Sequence, residues 1–231
     1  MTLSSAMQRY LQAIYVLHTD GERVIAARLA ELLGVSPPTV SQTLRRLEKD
    51  GLVIVAANRE IHLTPEGSRI AEAVVRRHRL VERWLTDSLG LDWAAAHTEA
   101  ERLEKAISPL VEERLNEFLN HPQTCPHGNP IPGNSSQPEP GGFALTAAAP
   151  GQKVRVERIL EHVESLTELL RYLHAQGVLP GVVLERGPET PFAGTITVRH
   201  QGGRELHLAR EAAAQVWVRP LQAQQSSQGE E

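Results

Sequence analysis

Cysteine is nearly absent from this sequence: among 231 residues there is one, Cys125. No internal disulfide can form, which agrees with a reducing compartment. Long apolar runs are missing as well. The 41% hydrophobic content suits a soluble globular chain, and no segment reaches the roughly 20 apolar residues of a membrane-spanning helix. The opening stretch "MTLSSAMQRYLQAIYVLHTD" has no basic segment followed by an apolar one, so no secretory signal is expected and a cytoplasmic location is. A basic excess is lacking too, the formal net charge being -4. Acidic and basic residues balance over residues 1–75, so the excess acid lies further on. Within residues 23–46, Arg23, Arg28, Arg45 and Arg46 are opposed only by Glu31, a local surplus suited to phosphate contacts.

What is present is a clear periodicity. Apolar residues at Ala6, Tyr10, Ala13, Ile14 and Leu17 predict a first helix closed by "TDG". A second helix through "AARLAELLG" ends at Gly34. A third runs through "SPPTVSQTLRRLEKDG", with Ser36 as N-cap and Pro37 and Pro38 in a first turn where amides need no acceptor. Two helices on a tight turn make a helix-turn-helix. The following "LVIVAANREIHLT" adds a β-hairpin wing, and long helices are expected from about Pro65 to Leu89 and from about Asp92 to Leu119. Between His121 and Pro150 the chain turns rich in Pro, Gly, Ser and Asn, which reads as a linker. Five alternating segments from "KVRVERI" to "QVWVRP", interrupted by the helical "SLTELLRYLHAQG", predict a small, mostly β domain of barrel type. The tail from residue 221 lacks apolar periodicity and is expected to be disordered.

A winged helix places the start of its third helix in the major groove. Ser36, Pro38, Thr39, Ser41 and Gln42 lie there, and Gln42 can pair bidentately with adenine; Arg28, Arg45 and Arg46 are placed for phosphate. The bland alternative is a helical hairpin with a solvated face. Further on, His78 and Glu82 stack four apart on one helical face, as a metal pair or a surface pair does. His97, Glu101 and Glu104 share another face, yet Glu101 and Lys105 have the spacing of a plain ion pair. Pattern alone does not choose. Cys125 and His127 in "TCPHG" offer a thiol and an imidazole, but structural zinc calls for four ligands, and loop composition accounts for them better.

Taken in order, "YLQAIYVL", "RLAELLGVSPPTVSQTLRRLEKDGLV", "LTPEGSRIAEAVVRRHRLVERWL", "HTEAERLEKAISPLVEERL" and "HGNPIPG" resemble the diphtheria toxin repressor family of metal-dependent regulators, which includes iron-dependent repressors and manganese transport regulators. The resemblance covers nearly the whole chain. It implies a mainly α chain with β: a winged-helix DNA-binding domain (residues 1–74), a helical metal-binding and dimerisation domain (75–140, with a linker to about 151) and an SH3-like domain (152–220). It further implies a homodimer on palindromic double-stranded operator DNA, with no membrane partner. A first, ancillary metal site would use His78, Glu82 and His97, with Glu161 and Glu164 from "LEHVESL". A second would fall at Arg9, Glu101, Glu104 and Lys105. There the sequence departs from the family: Lys105 replaces a histidine, and Arg9 stands where methionine or aspartate is usual. Neither cation can donate a lone pair to a metal. The expectation is a degenerate site whose positive side chains, Arg9 above all, pair with Glu101 or Glu104.

The implied function is a metal-dependent repressor controlling metal homeostasis, not an enzyme. With imidazole and carboxylate donors only, Mn²⁺ leads and Fe²⁺ follows, while Zn²⁺, Co²⁺ or Cd²⁺ would bind in vitro. The alternatives are a metal-independent winged-helix regulator and a metallohydrolase. No nucleophile motif or phosphate loop supports the latter.

Overall fold

A computed structural model describes residues 3–135, 142–162, 166–188 and 194–221. The chain divides into two units, Met1–Glu139 with Leu160–Ala175 and Pro140–Ile159 with Gln176–Glu231.

In the first unit Ser4 caps α1 (Ser5–Thr19) by accepting from the Met7 amide, and Tyr10, Leu11, Ile14 and Leu17 form its buried stripe. Each such side chain contributes about 1.5–3 kcal/mol by leaving water. Helix α2 (Ala26–Leu33) stops at Gly34, whose φ of 63° gives the left-handed cap that glycine tolerates. Ser36 then caps α3 (Pro37–Lys49), with proline in the first turn as the sequence predicts. Val40, Leu44 and Leu47 of α3 face the core formed with α1, α2 and the wing. The wing is β1 (Val53–Val55) antiparallel to β2 (Ile61–Leu63), with Val53 opposite Leu63.

Helix α4 (Pro65–Leu89) begins at the Thr64 cap and ends at Gly90, matching the predicted span. The second long helix expected here is two helices, α5 (Trp93–Leu103) and α6 (Pro109–Phe118). Pro109 has no amide to donate and excludes a helical conformation for the residue before it. Ser108 is extended and caps a new helix through the Val111 amide. Val81 and Leu85 of α4 pack on Ala96 and Ala100 of α5.

The stretch after His121 is not a bare linker. Up to residue 135 it is a packed loop: Cys125, His127, Asn129 and Ile131 are buried, and Thr124 bridges Pro130. Residues 136–141, the rest of the expected dimerisation domain, lie outside the described residues, as does the tail beyond Leu221.

The second unit is an antiparallel sheet of six strands: β3 (Phe143–Ala144), β4 (Lys153–Ile159), β5 (Val183–Arg186), β6 (Thr195–His200), β7 (Glu205–Ala209) and β8 (Val216–Pro220). They are ordered β3-β8-β4-β5-β6-β7. Alternation drives it: Val154 and Val156 point inward while Lys153 and Arg155 stay in water. Helix α7 (Leu166–Gln176) belongs to the first unit but for its last residue, and α8 (Arg210–Ala214) lies between β7 and β8. Among the described residues no helix is long and apolar enough to cross a membrane.

Gly67, in the first turn of α4, gives a test of how the wing meets the helix. A Cβ there would overlap the Leu52 carbonyl. Gly67→Ala is therefore expected to lower stability by about 1–3 kcal/mol in urea unfolding, whereas an uncrowded helix would gain about 1 kcal/mol.

Candidate metal centre and nucleic-acid interface

The outer face of α3 is polar and solvated. Ser36, Pro38, Thr39, Ser41, Gln42, Arg45 and Arg46 are exposed, and Gln42, Arg45 and Arg46 make no side-chain hydrogen bond or ion pair among the described residues. Ser36 is chiefly structural, its Oγ lying 2.8 Å from Thr39 Oγ1 as it caps the helix. Arg28 departs from the phosphate role expected of it. Its guanidinium donates to Glu31 Oε2 at 2.7 Å and to the His162 carbonyl at 2.9 Å, so its donors are engaged within the protein.

The three central metal candidates meet. His78 and Glu82 project from one face of α4, and His97 comes from α5 packed against it. Glu82 Oε1 lies 2.9 Å from His78 Nε2 and 2.8 Å from His97 Nδ1, and the two nitrogens are 3.2 Å apart. His78 and Glu82 are buried and His97 is nearly so. Glu104 Oε2 sits 2.7 Å from His78 Nδ1. When that nitrogen donates to Glu104, Nε2 of a neutral ring presents a lone pair to Glu82 and His97, and the contact is then satisfied by a ring proton on His97 Nδ1, by protonation of His78 or by a cation. The electrostatics follow. Burial opposes the His78 imidazolium, but Glu82 and Glu104 outweigh it and hold His78 well above the ordinary histidine range. Burial likewise opposes the Glu82 carboxylate, and the charges of His78 and His127 overcome that and hold it well below the usual range.

The expected second site has a different form. Arg9, Glu101 and Lys105 are exposed and, with Gln12, His78, His97 and Glu104, line a cavity of about 550 Å³. Neither Arg9 nor Lys105 forms an ion pair with Glu101 or Glu104. Glu104 turns inward to His78 instead, because a buried imidazole offers it a shorter, desolvated bond than a solvated guanidinium does. The charge substitution expected of Arg9 is thus not made.

Glu161, expected beside His97, lies in a neighbouring group. Its Oε2 accepts from Arg79 Nη2 at 2.8 Å and its Oε1 from Asn129 Nδ2 at 2.8 Å. Cys125 Sγ is 3.8 Å from the same Oε1. Ligand atoms of Glu82, Cys125, His127 and Glu161 all fall within 4.8 Å of one another, as do those of His78, Glu82 and His97. Glu164 lies outside the described residues. Cys125 and His127 are thus members of a buried cluster that loop composition did not suggest. The signal available was the pair of donors two residues apart; what the sequence could not show is the packing of His127 edge-on against Trp93, with ring centroids 5.0 Å apart.

A winged helix, then helices carrying buried imidazole and carboxylate donors, then a small antiparallel sheet define a DNA-binding, metal-sensing class of protein. Three family models match in the same order: "Iron dependent repressor, N-terminal DNA binding domain" over residues 2–61, "Iron dependent repressor, metal binding and dimerisation domain" over 64–133, and "FeoA domain" over 143–220. The last is the SH3-like domain. The iron-dependent repressor IdeR of Mycobacterium tuberculosis is 41% identical over 226 residues, covering 94% of this chain and 97% of its own. The diphtheria toxin repressor of Corynebacterium diphtheriae is 38% identical over 227 residues, covering 95% and 99%. A solved manganese-dependent transcriptional repressor in complex with manganese is 37% identical with a TM-score of 0.79, covering 93% of this chain and 99% of its own. The chain belongs to the iron-dependent repressor family, whose members are metal-dependent DNA-binding transcriptional repressors.

Arg79 gives a test of the loop's anchorage. Burial works against its charge, and Glu161 holds its pKa above the ordinary arginine value. Removing the guanidinium leaves the largely buried Glu161 carboxylate without its opposing charge, held only by Asn129, so Arg79→Ala is expected to cost about 3–5 kcal/mol in chemical denaturation. A loss within about 0.5 kcal/mol, as for a typical surface substitution, would show that the pair carries no weight.

Proposed function

We propose that this chain is a manganese-responsive repressor, with Fe²⁺ as the second choice, whose metal ligands are His78, Glu82 and His97. The observation that carries this reading is the convergence of two imidazole nitrogens on one buried carboxylate oxygen, the three ligand atoms lying within 4.8 Å of one another. The residues fit a cation: two imidazole nitrogens and a carboxylate oxygen, all able to offer lone pairs, converge within a buried space. Glu161 is engaged by Arg79 and Asn129, and Glu164 stays a family-based expectation. Nitrogen and oxygen donors without sulfur favour Mn²⁺ or Fe²⁺ biologically, while Zn²⁺, Co²⁺ and Cd²⁺ would occupy the site in vitro.

A bound divalent ion would supply the positive charge that otherwise only a proton provides. His78 Nε2 and His97 Nδ1 would give it lone pairs and Glu82 a negative charge. Glu104 would fix the His78 tautomer and ring angle through Nδ1, a supporting contact that also raises ligand basicity.

The winged helix is tied to this neighbourhood by its own residues. Asp20, just past α1, accepts from the Glu161 amide at 3.1 Å and lies 2.9 Å from His162 Nδ1. Arg28 of α2 donates to the His162 carbonyl. Through these contacts the arrangement of α1 and α2 is coupled to that of Glu161 and Arg79. Regulation then requires tighter metal binding in the operator-binding arrangement than in others. Leu110, Val111 and Phe118 expose apolar surface on α6, and a homodimer would cover it, matching two winged helices to a palindromic operator.

Three outcomes test this. In calorimetry, His97→Ala should lose Mn²⁺ binding at this site, and Glu104→Gln should weaken it by about 10–100-fold; unchanged affinity and stoichiometry in both would refute the assignment. On duplex DNA selected with Mn²⁺-loaded protein, chelator should abolish binding and Mn²⁺ restore it, whereas indifference to metal would favour a metal-independent regulator. Arg46→Ala should weaken binding evenly across sequences and flatten the salt dependence by about one unit of slope.

A further inference from the structure

The cavity of about 550 Å³ beside the sensor site is walled by α1, α2, α4, α5 and the turn after α5. Small-molecule pockets occupy roughly 300–1,000 Å³. Two cations reach the cavity from different segments, Arg9 from α1 and Lys105 from the turn after α5, and neither makes a side-chain hydrogen bond or ion pair among the described residues. Most of the negative charge nearby is already committed. Glu104 lies 2.7 Å from His78 Nδ1, and Glu161 is held by Arg79 and Asn129 at 2.8 Å each. Glu101 is the lining carboxylate left without such a partner among the described residues. Two uncommitted cations thus face one uncommitted carboxylate, and the wall is positive in balance.

We propose that this cavity binds a small organic anion, a carboxylic acid or a phosphate ester, whose oxyanion is held by Arg9 and Lys105 and whose carbon body lies against Val16, Leu33 and Val74. It does not depend on the sensor site assigned above.

The side chains suit such a ligand in kind. Arg9 offers a planar fork that matches two oxygens of one oxyanion, and Lys105 a mobile point charge. Ser5, Gln8, Arg9, Gln12 and Val16 recur at helical spacing, so one face of α1 forms a wall with a hydroxyl and two carboxamides beside the guanidinium. Thr167 adds a second hydroxyl. The buried Val16, Leu33 and Val74 let a carbon chain leave water, and apolar walls strengthen attraction between charges over that on an open surface. The two cations that suit an anion also oppose a metal, since neither has a lone pair to donate and both repel positive charge. An occupant bonded to Arg9 and Lys105 would touch the winged helix through α1 and the metal-binding helices through the end of α5, so its binding bears on how the two are held together.

Calorimetry on the full, metal-free chain at constant ionic strength tests this, with succinate and glycerol 3-phosphate as probes. At least one should bind once per chain; preference for succinate identifies carboxylic acids and preference for glycerol 3-phosphate identifies phosphate esters. The bare head groups, formate and inorganic phosphate, should bind about tenfold or more weakly than the matching probe, because they bury no carbon chain. Arg9→Gln and Lys105→Gln, both at exposed positions, should each weaken binding about tenfold or more. The double variant Arg45→Ala with Arg46→Ala, which removes two equally unpaired cations from α3, should leave it unchanged. Metal-free protein keeps failure of this proposal distinct from failure of the sensor assignment. No binding of either probe at millimolar concentration would overturn the proposal. So would unchanged affinity in both the Arg9 and Lys105 variants, loss of binding in the α3 variant, head groups that bind as tightly as the probes, or a second Mn²⁺ per chain that Glu101→Gln removes.

Discussion

Glu82 is a carboxylate with no exposure to solvent, held between three imidazoles on three chain segments. Isolated, a charge so placed would cost several kcal/mol. Its surroundings are therefore organised around supplying positive charge. His78 takes up a proton because Glu82 and Glu104 outweigh its burial, and His97 and His127 close in from α5 and from the loop after α6. A divalent cation meets the same demand with twice the charge. Val81 and Leu85 packing on Ala96 and Ala100 bring α4 and α5 together, and the charge requirement accounts for the side chains that converge between them.

The contacts that join the winged helix to this neighbourhood run through a short segment. Residues 160–162 touch the end of α1 through Asp20 and α2 through Arg28, and Glu161 turns to Arg79 on α4. The recognition face of α3 itself carries no part of this network. It stays solvated, with Gln42, Arg45 and Arg46 free of partners among the described residues, as a surface that binds duplex DNA must be before it binds.

Local chemistry made much of this legible beforehand. The capping Ser36, Pro37 and Pro38 at the start of α3 and helical periodicity placed the winged helix and α4 closely, and strand alternation placed five of the six strands of the sheet. The His78–Glu82 pair follows from helical spacing, but its meeting with His97 depends on α5 packing against α4. The break at Pro109 was visible as a residue and outweighed by the apolar periodicity on either side of it. Glu104 was read as one face of an exposed helix, and its turn toward His78 depends on a tertiary partner. The same is true of Cys125 and His127: a proline- and glycine-rich composition describes how a segment bends, and their burial is decided by what packs above it.

The most direct test of the central claim is anomalous diffraction from crystals grown with Mn²⁺. The account predicts a peak among His78 Nε2, Glu82 Oε1 and His97 Nδ1. A sole peak beside Glu101 and Lys105, with those three donors still bonded only to one another, would contradict it.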